Sequence, residues 1–557
     1  QFGIRTASLI LQPQRSPRKS ARSGRRKFEI QINGRPIAVR GANWVPASMF
    51  PGSVSHDDYE RLLGDARSAN MNMLRVWGGG YYEDDRFYNL CDRLGIMVWQ
   101  DFMFACAYYP DRHWFIDQVR AEANLIVRRL RNHPSLVLWC GNNEIDWLHH
   151  KAELGKGKKF YGKEIYHKVL PKIVHELDPD NSYIPTTPLG DKEDFNTDST
   201  LTTHQWQVWS GHKPARDYLC PPDMIPSFVT EFGMQSLPCA QTLAEYTDAM
   251  PRRSTSRTIE KHNYQVDGNP RLYRYVGDLF GTTPDPAEFV YLSQVTQARG
   301  VKSYAEHLRA HRSANSGVMF WQFNDCNPAI SWSAVDFAGR PKALYYYAKR
   351  FFADVLLAVV NEPDPKEAGL SNLSRATGIA VVNDSPRPLT ATLACHMIDM
   401  LGNRLDQVEF PVSVGPFTST SCLKLPKAFS QPDNPDQCAM HVQIGSDDGV
   451  LAQNLFLYLP DKYVDFSAPT ISVDSQKMAN GTWKIVLRSE TLVKDVFVSS
   501  PANDLKPRFD DNFFDLIPRV DHEVTMDCNP NLDLAEPELA FMSVNGVLGR
   551  TKNSSGC

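Results

Sequence analysis

Eight short apolar runs alternate with helical patterns between about residues 36 and 352, and this alternation limits the possible folds most strongly. The runs cover residues 37–44, 71–78, 95–102, 135–144, 182–188, 201–206, 227–232 and 317–325. Several are apolar enough to be buried on both faces, as the strands of a parallel sheet are. The alternation predicts an α/β fold, a (β/α)8 TIM barrel. A doubly wound open sheet is the alternative, but no Gly-x-Gly-x-x-Gly turn follows the first run.

The segments between the runs carry helical periodicity. A helix is predicted over residues 111–132, where six apolar side chains share one face and Pro134 follows the end: Ile116, Val119, Ala123, Ile126, Val127 and Leu130. A second helix is predicted over residues 56–69. Each would return the chain from one strand to the next, as the barrel requires.

The pattern changes after residue 352. From there to the C-terminus, short strands are broken by Pro, Asn, Asp and Gly, which is typical of β-sandwich domains. We expect a tail of a preceding β-domain and a basic linker at residues 1–31, followed by the barrel at 32–355. Two sandwiches should follow, at 356–460 and 461–557.

Charge and composition argue against several classes of partner. The 557 residues carry a net charge of -4, which gives no general attraction to nucleic acid or to an anionic membrane. No apolar run approaches the roughly 18 residues that span a bilayer. The stretch at residues 15–27 holds seven Lys and Arg and no acid. A solvated linker explains it better than a polyanion contact does.

Cysteine and sequon patterns add little about chemistry. The 11 cysteines form no Cys-x-x-Cys pair, there is no His-Glu-x-x-His, and neither a metal nor an organic cofactor is implied. Four Asn-x-Ser/Thr triplets are consistent with a secreted or lysosomal protein: Asn372, Asn383, Asn480 and Asn553. The chain begins with Gln1 rather than Met, as a processed or truncated piece would.

Polar and aromatic residues gather where the predicted strands end. They are Asn43, Trp44, Arg75, Trp77, Gln100, Asp101, Asn143, Glu144, His204, Trp206, Glu231, Trp321 and Asn324. A TIM barrel builds its active site at this face. Glu144 and Glu231, on the fourth and seventh strands, should therefore face each other across the mouth.

Two facing carboxylates among aromatic and amide side chains suit glycoside hydrolysis, in which one acid protonates the leaving oxygen and the other attacks the anomeric carbon. Tryptophans would stack on the sugar, or else fill the barrel rim. Arg75 and Asp101 would bind hydroxyls, or form an ion pair beneath the pocket. For His204 a structural hydrogen bond near the nucleophile is the better interpretation.

Long blocks of the sequence resemble β-mannosidases of glycoside hydrolase family 2. They are "RVWGGGYYEDDRFYNLCDRLGIMVWQDFMFACAYYP" (75–110), "HPSLVLWCGNNE" (133–144), "TEFGMQSLP" (230–238) and "FWQFND" (320–325). Near the end, "RFDDNFFDL" is similar to the last β-domain of that group. The stretch "RVWGGG" distinguishes the mannosidases from the β-galactosidase and β-glucuronidase branches, which have a different, His-containing sequence at that place.

The resemblance implies a role for each matching residue. Glu144 would be the acid/base and Glu231 the nucleophile of a retaining enzyme, whose carboxyl groups lie about 5 to 5.5 Å apart. Asn143 would bind the sugar 2-hydroxyl, with Trp77 along the same sugar and Trp321 in the pocket floor. A charged neighbour should raise the pKa of Glu144, and hydrogen bonds should lower that of Glu231.

Two departures from the family pattern bear on the site. Members usually begin with a sugar-binding β-sandwich and an immunoglobulin-like domain, and here only the last strand of the second survives, at residues 2–11. Relatives often place Tyr directly after the His of "THQWQVW" (203–209), where this chain has Gln205. Either Trp206 takes the place of that Tyr near the nucleophile, or the aromatic contact is lost. Trp147 is a further candidate pocket aromatic.

The expected substrate is a β-mannoside oligosaccharide or a glycoprotein-derived glycan. An exo-β-glucosaminidase or a glycoprotein endo-β-mannosidase could use the same frame. From other classes, the chain could be an inactive carbohydrate-binding fragment, or its sandwiches could be adhesion modules. The sequence does not indicate an oligomeric state.

Overall fold

A computed structural model describes most of the chain. The described residues are 3–12, 27–151, 157, 159–190, 195–211, 213–214, 218, 225–247, 250–363, 374–446, 449–501, 507–528 and 536–554. Nearly all of the basic stretch predicted to be a linker lies outside them.

A small antiparallel sheet precedes the barrel and closes its floor. Its strands are β1 (Ala7–Gln12), β2 (Lys27–Ile32) and β3 (Arg35–Pro36). Phe28 on β2 is fully buried and its ring stacks on that of Trp99, 5.8 Å away. The N-terminal sheet therefore shares an apolar core with the lower ends of the barrel strands.

Eight parallel strands form the barrel, and each overlaps one of the predicted runs. They are β4 (Val39–Trp44), β5 (Met73–Val76), β6 (Met97–Asp101), β7 (Leu136–Cys140), β8 (Ser182–Ile184), β9 (Thr203–Gln205), β10 (Phe228–Phe232) and β11 (Gly317–Phe320). Their order is β8-β7-β6-β5-β4-β11-β10-β9. Between β8 and β9 the ring is joined by loop contacts, including Thr187 Oγ1 to Thr202 Oγ1 at 3.2 Å. The predicted barrel is confirmed.

Helices surround the strands, as the alternation predicted. They are α1 (His56–Ser68), α2 (Asp85–Leu94), α3 (His113–Leu130), α4 (Ile145–His150), α5 (Leu170–Leu177), α6 (Ala240–Tyr246), α7 (Arg257–Lys261), α8 (Gly268–Phe280), α9 (Pro286–Ala310) and α10 (Ala343–Phe351). A π-helical turn, Ile165–Val169, leads into α5, and a 3-10 turn, Pro51–Ser53, precedes α1. The predicted apolar face of α3 is buried. A reciprocal capping box between Ser55 and Asp58 starts α1.

A β-sandwich follows the barrel. Its elements are β12 (Val355–Pro363), β13 (Ser374–Asn383), β14 (Leu389–Asp399), β15 (Arg404–Val414), β16 (Thr418–Ser419), β17 (Leu423–Lys424), α11 (Lys427–Ser430), β18 (Cys438–Ser446) and β19 (Gly449–Leu457). One sheet has the order β12-β13-β16, with β17 also on β13, and the other has the order β15-β14-β18-β19. Apolar side chains of both sheets form one core.

A second sandwich begins after a 3-10 turn at Asp461–Tyr463. It comprises β20 (Ile471–Lys477), β21 (Trp483–Ser489), β22 (Val493–Ser499), β23 (Arg508–Phe509), β24 (Phe514–Leu516), β25 (His522–Asp527), β26 (Ala540–Met542) and α12 (Val544–Ser554). Its sheets have the orders β20-β21-β25-β23 and β24-β22-β26. Arg299 of α9 pairs with Asp461 and Asp495, so this barrel helix is tied to the second sandwich.

The structure bears on the sequence predictions about membrane spans, cysteines and glycosylation sites. In the part of the chain that the structure describes, no helix has both the length and the apolar character needed to cross a bilayer. Eight cysteines of the described residues are free thiols: Cys91, Cys106, Cys140, Cys239, Cys326, Cys395, Cys438 and Cys528. Asn383 is buried and its amide donates to three backbone carbonyls, so it is not an accessible glycosylation acceptor. Asn480 is exposed, and Asn372 lies outside the described ranges.

Candidate active site

Glu144 lies in a tight turn rather than at the tip of a strand. The predicted strand over residues 135–144 ends at Cys140 in the structure, and α4 begins at Ile145. Glu144 has φ +64°, a left-handed conformation that is uncommon outside glycine. Asn142 stabilises the turn, because its Oδ1 accepts from the Ile145 N–H at 3.0 Å and its Nδ2 donates to Asp146 at 2.9 Å. The turn aims the Glu144 carboxylate at the barrel mouth.

Glu231 stands on β10 with its side chain 5% exposed. Arg75 Nη1 donates to its Oε1 at 2.6 Å, and Trp206 Nε1 donates to its Oε2 at 3.1 Å. The contact expected from a Tyr after His204 is thus made by Trp206, one residue further on. Both carboxylate oxygens of Glu231 are thus held by donors, one on β5 and one directly after β9.

His204 bridges the two glutamates. Its Nδ1 lies 2.7 Å from Glu144 Oε1 and 3.3 Å from Glu231 Oε2. Its Nε2 lies 3.2 Å from Thr187 Oγ1. One oxygen of Glu144, one of Glu231 and a ring nitrogen of His204 all lie within 4.8 Å of one another. The two carboxylates therefore face each other closely, although Glu144 lies in a turn after β7 and not on the strand itself.

Arg75 is fully buried and organises the floor of this site. Its Nη2 donates to Asp101 Oδ2 and to Asn143 Oδ1, each at 2.7 Å. Asp101 also accepts from the Gly78 N–H at 3.1 Å. Arg75 and Asp101 thus form the ion pair that the sequence left open as an alternative. Arg75 also joins that pair to Glu231 and Asn143.

Aromatic side chains line one side of the mouth. The rings of Trp77 and Trp321 meet almost at right angles, 5.0 Å apart. The Trp206 ring lies 6.2 Å from that of Trp332. Trp147 lies on α4 with its ring under the Lys151 ammonium at 4.2 Å, and none of its described contacts reaches either glutamate.

Burial is the main cause of the pKa shifts of Glu231 and His204. It raises the pKa of Glu231 above its ordinary value, although His204 and Arg75 lower it. The hydrogen bond from Arg75 also lowers this pKa, but the cost of burying the charge is larger, so the expectation that hydrogen bonding would hold the pKa of Glu231 down is wrong. Burial lowers the pKa of His204 to about 4, so the ring is neutral near neutral pH.

Two contacting residues were not among the sequence candidates. Cys106, after β6, places its Sγ 3.7 Å from Glu144 Oε2 and 3.4 Å from Asn143 Nδ2. Thr187, after β8, contacts His204. Both lie just beyond the carboxyl ends of their strands. Cys106 comes four residues after the predicted run at 95–102, whereas Thr187 lies inside the predicted run at 182–188. Neither has a residue type that marks glycoside chemistry.

The donor set could also hold a cation, since Glu144, His204 and Glu231 each offer a ligand atom. However, the Arg75 guanidinium already lies 2.6 Å from Glu231 and supplies a fixed positive charge there. A metal ion would have to bind beside that charge. The chemistry of the site therefore fits two carboxylates acting without a metal better than it fits a metal centre.

Comparison with known proteins identifies the family. The description "Glycosyl hydrolases family 2, TIM barrel domain" matches residues 25–316, more than half of the chain. The chain belongs to glycoside hydrolase family 2. The matches to "Mannosidase Ig/CBM-like domain" at residues 376–463 and to "Ig-fold domain" at 466–546 agree with the two sandwiches.

Proteins named β-mannosidase are similar to this chain. Beta-mannosidase B of Aspergillus clavatus is 29% identical over 551 residues, which cover 94% of this chain and 63% of that protein. Beta-mannosidase B of Thermothelomyces thermophilus is 34% identical over 380 residues, 64% of this chain and 44% of that one. This chain therefore spans less than two thirds of the length of these relatives.

Two solved structures show the same architecture. Beta-D-mannosidase from Dictyoglomus thermophilum superposes with a TM-score of 0.86 at 32% identity, covering 97% of this chain and 63% of that one. The exo-chitosanase CsxA of Amycolatopsis orientalis gives a TM-score of 0.74 at 16% identity, covering 98% of this chain and 66% of that one. At that identity the likeness concerns the fold alone.

Proposed function

We propose that the chain is a retaining glycoside hydrolase that releases terminal non-reducing β-D-mannose from β-mannosides. The observation that carries this proposal is the close pairing of Glu144 and Glu231, joined by His204 and supported by Arg75. The similarity to proteins named β-mannosidase supports the choice of sugar. A β-mannoside oligosaccharide or a glycoprotein-derived glycan is the expected substrate class.

In the first step Glu231 attacks the anomeric carbon while Glu144 gives its proton to the leaving oxygen. The C–O bond to the aglycone breaks, and a mannosyl ester forms on Glu231. Retaining glycosidases have carboxyl groups about 5 to 5.5 Å apart, whereas inverting ones leave room for a water, at about 6.5 to 9.5 Å. Contact of both glutamates with one imidazole nitrogen supports the shorter arrangement.

In the second step Glu144 acts as the base. It takes a proton from water as the water oxygen attacks the anomeric carbon, and the ester to Glu231 breaks with retained configuration. Arg75 and Trp206 then receive the carboxylate that leaves, each donating to one of its oxygens. These fixed donors lower the cost of returning a negative charge to a buried position.

Asn143 is the residue that we assign to the sugar 2-hydroxyl. Arg75 donates to its Oδ1 at 2.7 Å, which turns the Nδ2 group away from the guanidinium. An amide N–H fixed in this way can donate to the 2-oxygen, and that bond strengthens as positive charge develops on the ring. Trp77 and Trp321 would line the sugar. The C-terminal sandwiches serve as scaffold.

The proposal is tested by hydrolysis of 4-nitrophenyl β-D-mannoside, with β-glucosaminide and β-galactoside as alternative substrates. Glu231→Ala should abolish turnover because the nucleophile is lost, whereas Glu176→Ala, at an exposed glutamate, should leave it unchanged. Glu144→Ala should still cleave a dinitrophenyl mannoside, whose leaving group needs no proton, and azide should accelerate that reaction. Faster turnover of the glucosaminide, or no turnover by folded protein, would contradict the proposal.

A further inference from the structure

Trp332, in the loop after β11, packs against two tryptophans of the loop after β9. Its ring centroid lies 6.2 Å from that of Trp206 and 6.5 Å from that of Trp209, at interplanar angles of 73° and 79°. Edge-to-face pairs at such separations attract each other. Trp206 is the indole that donates to Glu231 Oε2 at 3.1 Å. Trp332 therefore contacts the ring whose N–H holds the proposed nucleophile.

We propose that Trp332 is a positioning residue, whose ring keeps the Trp206 indole in the orientation that donates to Glu231. This inference rests on the proposed function, because it assigns the contact a role at the nucleophile. None of the described contacts of Trp332 reaches Glu231, so Trp332 acts through Trp206.

The other side of this aromatic group is anchored in the core of the barrel. Trp209 is fully buried, and its Nε1 donates to Gln265 Oε1 at 2.6 Å. Its ring also stacks on that of Tyr275, 5.6 Å away. Trp332 therefore joins a fixed ring to the partly exposed ring of Trp206.

The ends of two strands hold the backbone around Trp332. The Gln322 N–H, just after β11, donates to the Trp332 carbonyl at 3.2 Å, and the Ser236 N–H, after β10, donates to the Ser331 carbonyl at 2.9 Å. A Cβ added to Gly233 would lie 3.4 Å from Trp332 Cδ1, so the ring packs against the end of β10. The ring is thus fixed beside the strand that carries the nucleophile.

Trp332 acts by packing rather than by a hydrogen bond. Its Nε1 is buried and has no hydrogen-bond partner among the described residues. Without this support, the Trp206 side chain could populate other rotamers, and a hydrogen bond weakens steeply as its angle departs from linear. Loss of the Trp332 ring should therefore weaken the donation to Glu231 although the donor group is still present.

A weaker donor should raise the pKa of Glu231 further, because a hydrogen bond to a carboxylate favours its charged form. The charged and titratable groups that face Glu231 stay in place: Arg75 on β5, His204 on β9, Glu144 after β7 and Cys106 after β6. The nucleophile must be ionised in the free enzyme, so the acidic limb of kcat/KM reports the change.

The kinetic test is a double-mutant cycle of Trp332→Leu and Trp206→Phe. Each single variant should move the acidic limb of kcat/KM for 4-nitrophenyl β-D-mannoside to higher pH, by about half a unit or more. The double variant should move it no further than Trp206→Phe does, because one residue acts through the other.

Two further variants accompany the cycle. Trp332→Phe keeps an aromatic ring and should move the acidic limb in the same direction by less, whereas Trp114→Ala, at an exposed tryptophan of α3, should not move it. An unmoved limb in both Trp332 variants, or additive shifts in the double variant, would overturn the proposal.

A second measurement does not depend on turnover. With tryptophan labelled by nitrogen-15, the Trp206 indole signal is the one missing from Trp206→Phe, and the titration step due to Glu231 is the one missing from Glu231→Gln. In Trp332→Leu the midpoint of this step should rise by about half a unit or more. An equal midpoint would overturn the positioning role even where mannoside is hydrolysed. A raised midpoint without mannoside turnover would overturn the proposed function, but not the contact.

Discussion

Arg75 connects four side chains that come from four different barrel strands or the loops after them. They are Asn43, Asp101, Asn143 and Glu231. The sequence placed Arg75 at this strand end but left its role open between an ion pair with Asp101 and a contact to substrate hydroxyls. Its bond to Glu231 spans 156 positions along the chain, a pairing that only the closed barrel creates.

Replacing Arg75 should therefore affect both catalysis and folding. Arg75→Met removes the donor to Glu231 and leaves Asp101 buried without its cation. We expect kcat to fall by about 1000-fold and the free energy of unfolding by about 3 kcal/mol or more. Steady-state kinetics and urea denaturation measure the two effects. Arg93→Met, at an exposed ion pair with Glu60, should change neither, and equal effects in both variants would contradict this account.

His204 should make stability depend on pH. Its pKa is about 4 in the folded chain and 6.5 in the reference state, because burial disfavours the charged ring. The unfolded chain therefore binds the extra proton first. The stabilisation by His204 is complete above pH 6.5 and is lost as the pH falls towards 4, by about 3 kcal/mol.

Urea midpoints at pH 7 and pH 4.5 test this dependence. His204→Gln should show a smaller decrease between the two pH values than the original chain. His56→Gln, at a half-exposed surface histidine, should keep the full decrease. An equal decrease in all three proteins would show that the charge on His204 is not linked to unfolding.

At the scale of elements, apolar runs predicted where strands lie but not where they end. The run at residues 135–144 was interpreted as one strand, whereas β7 ends at Cys140. After Cys140 the parallel pairing continues only as isolated bridges of Asn143 to Ala105 and Thr187, and Glu144 then adopts φ +64°. Apolar periodicity reports neither feature. The helix patterns were more informative, since the predicted buried face of α3 requires only a period of 3.6 residues.

In the "GGG" stretch that follows Trp77, the middle glycine, Gly79, leaves the space that the Trp77 ring occupies. A Cβ on Gly79 would lie 1.9 Å from the Trp77 ring, so the ring can occupy its place only beside glycine. Gly79→Ala should push the indole away from the sugar and lower kcat/KM for the mannoside by about tenfold or more.

Gly64→Ala provides the matched control for Gly79→Ala. Gly64 lies within α1, and an added Cβ would contact nothing within 4 Å. Alanine there should leave kcat/KM unchanged and raise the free energy of unfolding by about 0.5 to 1 kcal/mol. Unaltered kinetics of Gly79→Ala would contradict the role assigned to Trp77.

At the scale of the whole molecule, α9 links the barrel to the second sandwich. Arg299 donates to Asp461 at 2.5 and 3.0 Å and also pairs with the fully buried Asp495. Tyr291 on the same helix donates to the Asp495 carbonyl at 2.6 Å. The sequence predicted three folded units but gave no signal for this contact, because its partners lie more than 160 residues apart.

Removing this link should loosen the sandwich from the barrel. Arg299→Met leaves two buried aspartates without their cation and should cost about 3 kcal/mol of unfolding free energy. Thermal unfolding measures the loss of stability. Limited proteolysis in the segment between the barrel and residue 461 measures how far the second sandwich has loosened. Arg128→Met, at an exposed position of α3, should leave both unchanged, and a similar result for Arg299→Met would show that the link is dispensable.

The proposed mechanism requires Glu231 to form a covalent bond to a mannose residue. Incubating the chain with 2-deoxy-2-fluoro-β-D-mannosyl fluoride and mapping the modified peptide by mass spectrometry detects this bond. We predict one fluoromannosyl group, on Glu231, in both the original chain and Glu144→Gln, and none in Glu231→Gln. A label on any other residue, or mannoside hydrolysis without a trapped ester, would contradict the account.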